Sequence, residues 1–278
     1  MHVSHSDTIR SASLQSRRLT SGVIRASLAK APLILTLLWC NTACEVPDPC
    51  SSTAEEDRFS FCVQRQHSDE YYIEQSMLYF NTMDTAEDRD RGPDYSEWVA
   101  RWEWPPWLKL TAFGREHLVA GDLLLRRFPS TIPERECRAF DTNPFGRCKV
   151  TFYYEAHNGR GCPIYEEFTF NEAGEMTFIE AWSDLDGKRP MDPDTDPWAE
   201  GADLHRMSTK LPGLGNSEGA IDLDSPAMAV AERADPEIHD FVERALNYYD
   251  RWLAELEASG GDAMWTTGCG WAEGPTSP

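Results

Sequence analysis

The chain has 278 residues, of which 41% are hydrophobic and ten are tryptophan, and its formal net charge is −21. That length buries one good core with at most an appendage, and the aromatic content argues against a disordered acidic chain. Five basic residues and one acid fall in the first 44 positions, which leaves 21 basic against 46 acidic residues beyond them; a surface so acidic repels phosphate backbones and anionic headgroups, which argues against nucleic-acid binding.

Residues 1–43 read as a signal peptide. Basic residues up to Lys30 precede the apolar run "APLILTLLW", too short to span a bilayer, and small residues follow it. "NTAC" is similar to a bacterial lipoprotein processing box. It predicts Cys44 as a lipid anchor and the only membrane attachment, although Asn41 stands where leucine is usual; simple secretion is the alternative. Loss of the leader and use of Cys44 leave Cys50, Cys62, Cys137, Cys148, Cys162 and Cys269. An even number in an oxidising compartment predicts up to three disulfides, with Cys137–Cys148 and Cys50–Cys62 as the local pairs. Residues 44–66, rich in Pro, Ser, Thr and acids, read as a flexible tether.

Helical patterning starts at Ser68-Asp69 and runs through "EYYIEQSMLYF". A second helix is expected in "DYSEWVARW", where Trp98 and Trp102 are spaced i,i+4, and "WPPW" ends it because neither proline can donate to a helix. "REHLVAGDLLLRRF" predicts a third, ending before Pro129. From Cys148 the period becomes two: "KVTFYYEAH", "IYEEFTF" and "MTFIEAW" predict an antiparallel meander, with "ECRAF" as a candidate earlier strand. Residues 187–222 form an acidic Pro/Gly loop. Two helices in 223–259, "DSPAMAVAERA" and "DPEIHDFVERALNYYDRWLAELEA", each begin with a capping acceptor and a proline. In the longer, Ile238, Phe241, Val242, Leu246, Tyr249, Leu253 and Leu256 form one apolar stripe that must dock on something. The tail, 260–278, reads as loop held through Cys269.

Helices followed by a meander ending in "EEFTF…GEMTFIEAWSD" resemble the nuclear-transport-factor-2-like superfamily, its SnoaL-like branch in particular, over about residues 69–186. The resemblance implies an α+β fold over residues 67–186. It would be a cone-like roll of N-terminal helices packed on a curved antiparallel sheet, here with a C-terminal helical extension. It also implies a pocket inside the cone and, by sheet pairing, a homodimer. Some members are isomerases, dehydratases or cyclases and others only bind, so fold alone does not assign activity.

The turn "NEAG" suits a type I turn closed by a left-handed glycine in a G1 bulge, pairing Asn171 with Glu175. Counting back sets Phe170 opposite Met176, Phe168 opposite Phe178, Glu166 opposite Glu180 and Ile164 opposite Trp182. One face is then apolar except for two facing carboxylates. Desolvation and mutual repulsion would raise one pKa and create a candidate acid/base pair, unless Arg115, Arg126 or Arg160 neutralises it. The SnoaL-like resemblance implies a third catalytic candidate, Asp186, on "EAWSDLD", with Asp184 competing for the role. Trp102, Trp107, Phe168, Phe178 and Trp182 are the ligand-binding candidates. His157 at a strand end and His117 on an apolar helix read as a turn histidine and a core histidine.

Other signals fall away. "DPDTDPWAE" begins like a calcium loop but has proline where glycine is required, and "PGLGNSEG" lacks the spacing and the Lys-Ser/Thr of a phosphate loop. No cofactor and no metal are expected. The expected function is export with binding of a small apolar ligand. The alternatives are an acid/base enzyme using Glu166, Glu180 or Asp186, and a non-catalytic protein-interaction module.

Overall fold

The computed structural model describes residues 62–88, 90–107, 111–126, 128–199, 206–214, 219–258 and 263–271. The signal peptide, Cys44, Cys50 and most of the tether lie outside them. The described residues all belong to one unit, Val46–Pro278. Helix α1 (Asp69–Asn81) buries Tyr72, Gln75, Ser76, Tyr79 and Phe80, the three- and four-residue spacing of one helix face.

The expected second helix is a strand, β1 (Tyr95–Glu103). Trp98 and Trp102 share a side in either conformation, because a spacing of four is also two periods of a strand. What separates them is exposure: Trp102 is buried and Trp98 is exposed at the sheet margin. The short β2 (Ala112–Phe113) pairs with β1 and leads into α2 (Arg115–Leu125), the expected third helix. The strands β3 (Ser130–Ala139), β4 (Gly146–Tyr154), β5 (Arg160–Phe170) and β6 (Met176–Ser183) then form the meander.

The six strands make one sheet in the order β2-β1-β6-β5-β4-β3. It is mixed rather than antiparallel, because β1 runs parallel to β6. The C-terminal helices differ from the expectation in two ways. The longer C-terminal helix is two, α4 (Pro236–Leu246) and α5 (Tyr248–Ala258), broken at Asn247. The break ends the continuous stripe: Leu246 and Tyr249 are exposed while Tyr248 and Trp252 are buried. The tail, expected to be loop, holds α6 (Ala263–Gly268). The capped helix α3 (Pro226–Ala234) follows the sequence, with Ser225 accepting from Met228 N as Asp235 accepts from Glu237 N for α4.

Two buried clusters lie on the two faces of the sheet. One joins α1, α2, α5 and α6 to Val150, Phe152, Ile164, Phe168 and Ile179. The other joins Trp102, Tyr165, Phe178 and Trp182 to Met207, Leu211 and the apolar sides of α3 and α4. Two disulfides close the described part, Cys137–Cys148 as expected and Cys162–Cys269, which ties the tail to β5. Cys62 is also disulfide-bonded. No described helix is long and apolar enough to cross a membrane.

Candidate functional site

The turn forms as its residues dictate. Asn171 N donates to Glu175 O at 3.0 Å, and Gly174 takes φ +84°. Phe170 faces Met176, as the count predicts, but the next pair is Thr169 with Phe178. Thr177 is therefore an extra residue, a β-bulge that moves every later pair by one. The reason lies across the sheet: Met176 N donates to Asp94 O at 2.8 Å, and Tyr95 pairs with Met176. The parallel neighbour β1 takes up the start of β6, and a segment read as a helix could not reveal that.

The bulge overturns the expected carboxylate pair. Glu166 lies opposite Ala181, and Glu180 opposite Glu167, so Glu166 and Glu180 point to different faces. On the α3/α4 face, Glu167 is 1% exposed and bound by two arginines. Arg147 Nε donates to it at 2.6 Å and Arg206 Nε at 2.7 Å. Burial pushes its pKa up, but the two guanidinium groups outweigh that and hold it below the ordinary carboxylate value. Glu180 accepts from Met207 N at 2.7 Å, Ser208 N at 3.1 Å, Ser208 Oγ at 2.6 Å and Trp104 Nε1 at 3.3 Å. Burial, aided by the Glu167 charge, still raises its pKa. These carboxylates tie the segment around residues 206–208 to the sheet.

Glu166 stands elsewhere. It is 4% exposed on the α1/α2 face, among Tyr79, Arg101 and Asp122. Arg101, fully buried, donates through Nη1 to Asp122 Oδ1 at 2.8 Å and to Tyr79 Oη at 2.9 Å; Tyr79 in turn hydrogen-bonds Glu166. Gly121 on α2 makes this possible, since a Cβ there would lie 2.9 Å from Arg101 Nη2. Burial drives the Glu166 pKa well above the ordinary carboxylate value; Arg101 pulls it down, and Glu103 pushes it up again. Asp122 is also raised by burial, against the opposing pull of Arg101. Glu166 Oε2 has no hydrogen-bond partner. Glu166 lines an interior cavity of about 30 Å³ with Glu103, Trp107, Tyr154 and Trp265.

The other candidates divide. Trp107 lines that cavity and Phe168 packs on the same face. Trp102, Phe178 and Trp182 belong to the opposite face and cannot meet a ligand beside Glu166. The Asp186 side chain is fully exposed, 3.6 Å from Arg189, and Asp184 is paired with Lys149 and Arg189. His157 packs on Trp271, and His117 stacks on Tyr248 with centroids 5.1 Å apart. None of the arginines proposed as neutralisers reaches Glu166. Arg115 donates to Tyr95 O, Arg126 to backbone carbonyls after α1, and Arg160 lies over Trp271. The cation that does influence it, Arg101, becomes legible only when β1 is read as a strand, with Arg101 and Glu103 alternating onto the Glu166 side. Among the described residues no group of His, Cys, Asp or Glu could hold a metal ion. No family model matches the chain, and no curated protein is significantly similar to it.

Proposed function

We propose that the chain is an exported protein, lipid-anchored through Cys44, that binds a small apolar ligand beside Glu166 without transforming it. One observation carries the reading: a carboxyl group only 4% exposed presents an unpartnered oxygen in an aromatic-lined cavity. A carboxylic acid buried without full compensation costs stability, and perturbed acids concentrate at functional sites. The sheet order, with β1 parallel to β6, and the packing of α1 and α2 on the Glu166 side support a cone-like roll of the SnoaL-like kind. Two disulfides agree with an oxidising compartment.

The cavity has room for about one or two water molecules, whereas organic ligands occupy roughly 300–1,000 Å³. Trp265 lines it, packed against Trp107, Phe128 and Tyr154, so a ligand of that size requires these rings to move. A second reading, acid/base catalysis of the isomerase, dehydratase or cyclase type, is favoured by burial, which raises the pKa of Glu166 well above the ordinary carboxylate value. Native mass spectrometry of protein purified from its own host tests both. A retained small molecule that is lost in Glu166→Gln supports the site, and turnover of that molecule separates enzyme from binder. If no molecule is retained by the wild type, and a Trp265→Ala variant enlarged at the cavity also retains none, the site reading fails. The interaction module then stands in its place.

A further inference from the structure

Among the described residues, Trp98 is the exposed tryptophan, at 43%, in a chain that buries Trp102, Trp104, Trp107 and Trp182. Its ring stacks on Phe113, with centroids 6.1 Å apart and an interplanar angle of 24°. Both rings line a surface pocket of about 820 Å³, within the range of small-molecule sites. Three segments build it: the start of β1, the β2–α2 junction and the β5–β6 turn. None of its lining residues lines the Glu166 cavity.

The ionisable side chains around these rings are Glu97, Glu116 and Glu175, with Arg115 and His117. Glu97 and Glu116 are exposed. Glu175 is held in place by Asn171 Nδ2, which donates to its Oε2 at 3.0 Å. Arg115 donates to Tyr95 O, which holds its guanidinium against β1. The first turn of α2 also borders the pocket, and its N–H groups carry about half a positive charge. With His117 neutral, three carboxylates outweigh one guanidinium and that half charge. Aromatic faces and surplus negative charge attract the same ligand, a weakly hydrated cation.

We infer that this pocket binds a free quaternary ammonium compound, its methyl groups on Trp98 and Phe113 and its charge facing the glutamates. A primary ammonium holds its water more strongly, so it gains less from an aromatic face. The surplus of carboxylates opposes a phosphate beside the cation, which selects a free solute over a phospholipid headgroup.

The test is a titration of the full chain with choline, phosphocholine and 3,3-dimethylbutan-1-ol, the neutral isostere of choline. It is followed through the NMR signals of the Trp98 indole N–H and the Gly114 amide. Choline should shift both with saturation, and the alcohol and phosphocholine should each bind about tenfold more weakly or worse. Trp98→Leu keeps an apolar side chain and removes the aromatic face, so choline affinity, read at Gly114, should fall about two- to fivefold. Changing Glu97 and Glu116 together to Gln, both at exposed positions, should weaken choline by about tenfold and leave the alcohol unchanged. Unmoved signals, equal affinity for the alcohol, or full choline affinity in either variant would overturn the assignment. Phosphocholine binding as tightly as choline would overturn the choice of a free solute.

Discussion

Glu167, and not Glu166, is the cross-strand neighbour of Glu180. The two facing carboxylates that the strand sequence promises do exist, but they lie on the α3/α4 face and are fully engaged by Arg147, Arg206, Met207 and Ser208. Glu166 stands on the other face beside Tyr79 and Arg101, with only one of its two oxygens partnered. The sheet thus separates the carboxylates that hold structure from the cluster around Glu166, whose Oε2 is unpartnered.

The Glu180 clamp predicts a local as well as a global defect. Glu180→Ala removes the acceptor from four donors at once, two of them backbone N–H groups. Stranding buried donors in this way should cost about 3–5 kcal/mol, read from urea unfolding. Hydrogen exchange at Met207 and Ser208 should accelerate far more than at α1, because those amides lose their attachment to β6. Equal acceleration at both places would mean that Glu180 supports the sheet generally and does not fasten this segment.

Glu166 predicts a pH dependence of the opposite sign to the usual carboxylate. Its folded pKa lies above the unfolded value of 4.5, so between the two the native state holds a proton that the unfolded chain has released. Stability therefore falls as pH rises above about 4.5, by about 1.4 kcal/mol per pH unit, until the folded pKa is reached. Glu166→Gln keeps the shape and removes the titration, so it should be more stable than wild type at pH 7 and show a flatter profile. Glu167 runs the other way: its pKa is lowered, so its contribution is present at neutral pH and is lost as pH falls below 4.5. Thermal melts from pH 3 to 8 measure both. A Glu166→Gln variant less stable than wild type at pH 7 would show that the carboxylate is ionised and paired in the native state.

The two disulfides should differ in weight. Cys162–Cys269 spans 107 residues and Cys137–Cys148 spans 11. Loop-closure entropy assigns about 4–5 kcal/mol to the first and about 3 to the second. Cys269→Ser also frees the segment that carries Trp265 and Trp271, whose indole donates to Gly161 O at 2.9 Å. The expected signature is greater destabilisation together with faster exchange in α6, while β3 and β4 stay protected. If Cys137→Ser proves the costlier change, the tail contributes little to the core.

How far the sequence reached follows from where its signals are local. α1, α2, α3 and the meander were legible because apolar period, caps and turn residues act within a few positions. The turn at Asn171–Gly174 was read correctly to its hydrogen bonds, and so was the Phe170–Met176 pair beside it. The bulge at Thr177 depends on β1, some eighty residues earlier, and so the face of Glu180 was lost with it. Arg101 was hidden by the same misreading, because tryptophans four apart fit a helix and a strand equally. Glu166 was identified as buried and acidic, but its partners come from α1, β1 and α2, and only the folded sheet brings them together. Trp265 was out of reach for another reason: a six-residue helix in a Gly-rich tail has too short a pattern to declare itself, and it is held by a disulfide whose partner lies 107 residues away.

Gly121 offers the closest test of how the Arg101 cluster is seated. It lies inside α2, where alanine would ordinarily gain about 1 kcal/mol from helix propensity. A methyl group at this position would sit 2.2 Å from Tyr248 Oη as well as 2.9 Å from Arg101 Nη2. Both side chains are buried, so neither can swing into solvent, and overpacking of this kind costs about 1–3 kcal/mol. The overlap outweighs the propensity gain, and Gly121→Ala should be net destabilising. Tyr248→Phe removes the nearer atom, a hydroxyl that has no hydrogen-bond partner, and should be close to neutral alone. The double variant should then be more stable than Gly121→Ala, with a coupling of about 1 kcal/mol in a double-mutant cycle. Additive behaviour would mean that α2 shifts to accept the methyl, and Arg101 would not be held as tightly between α2 and the sheet as its contacts imply.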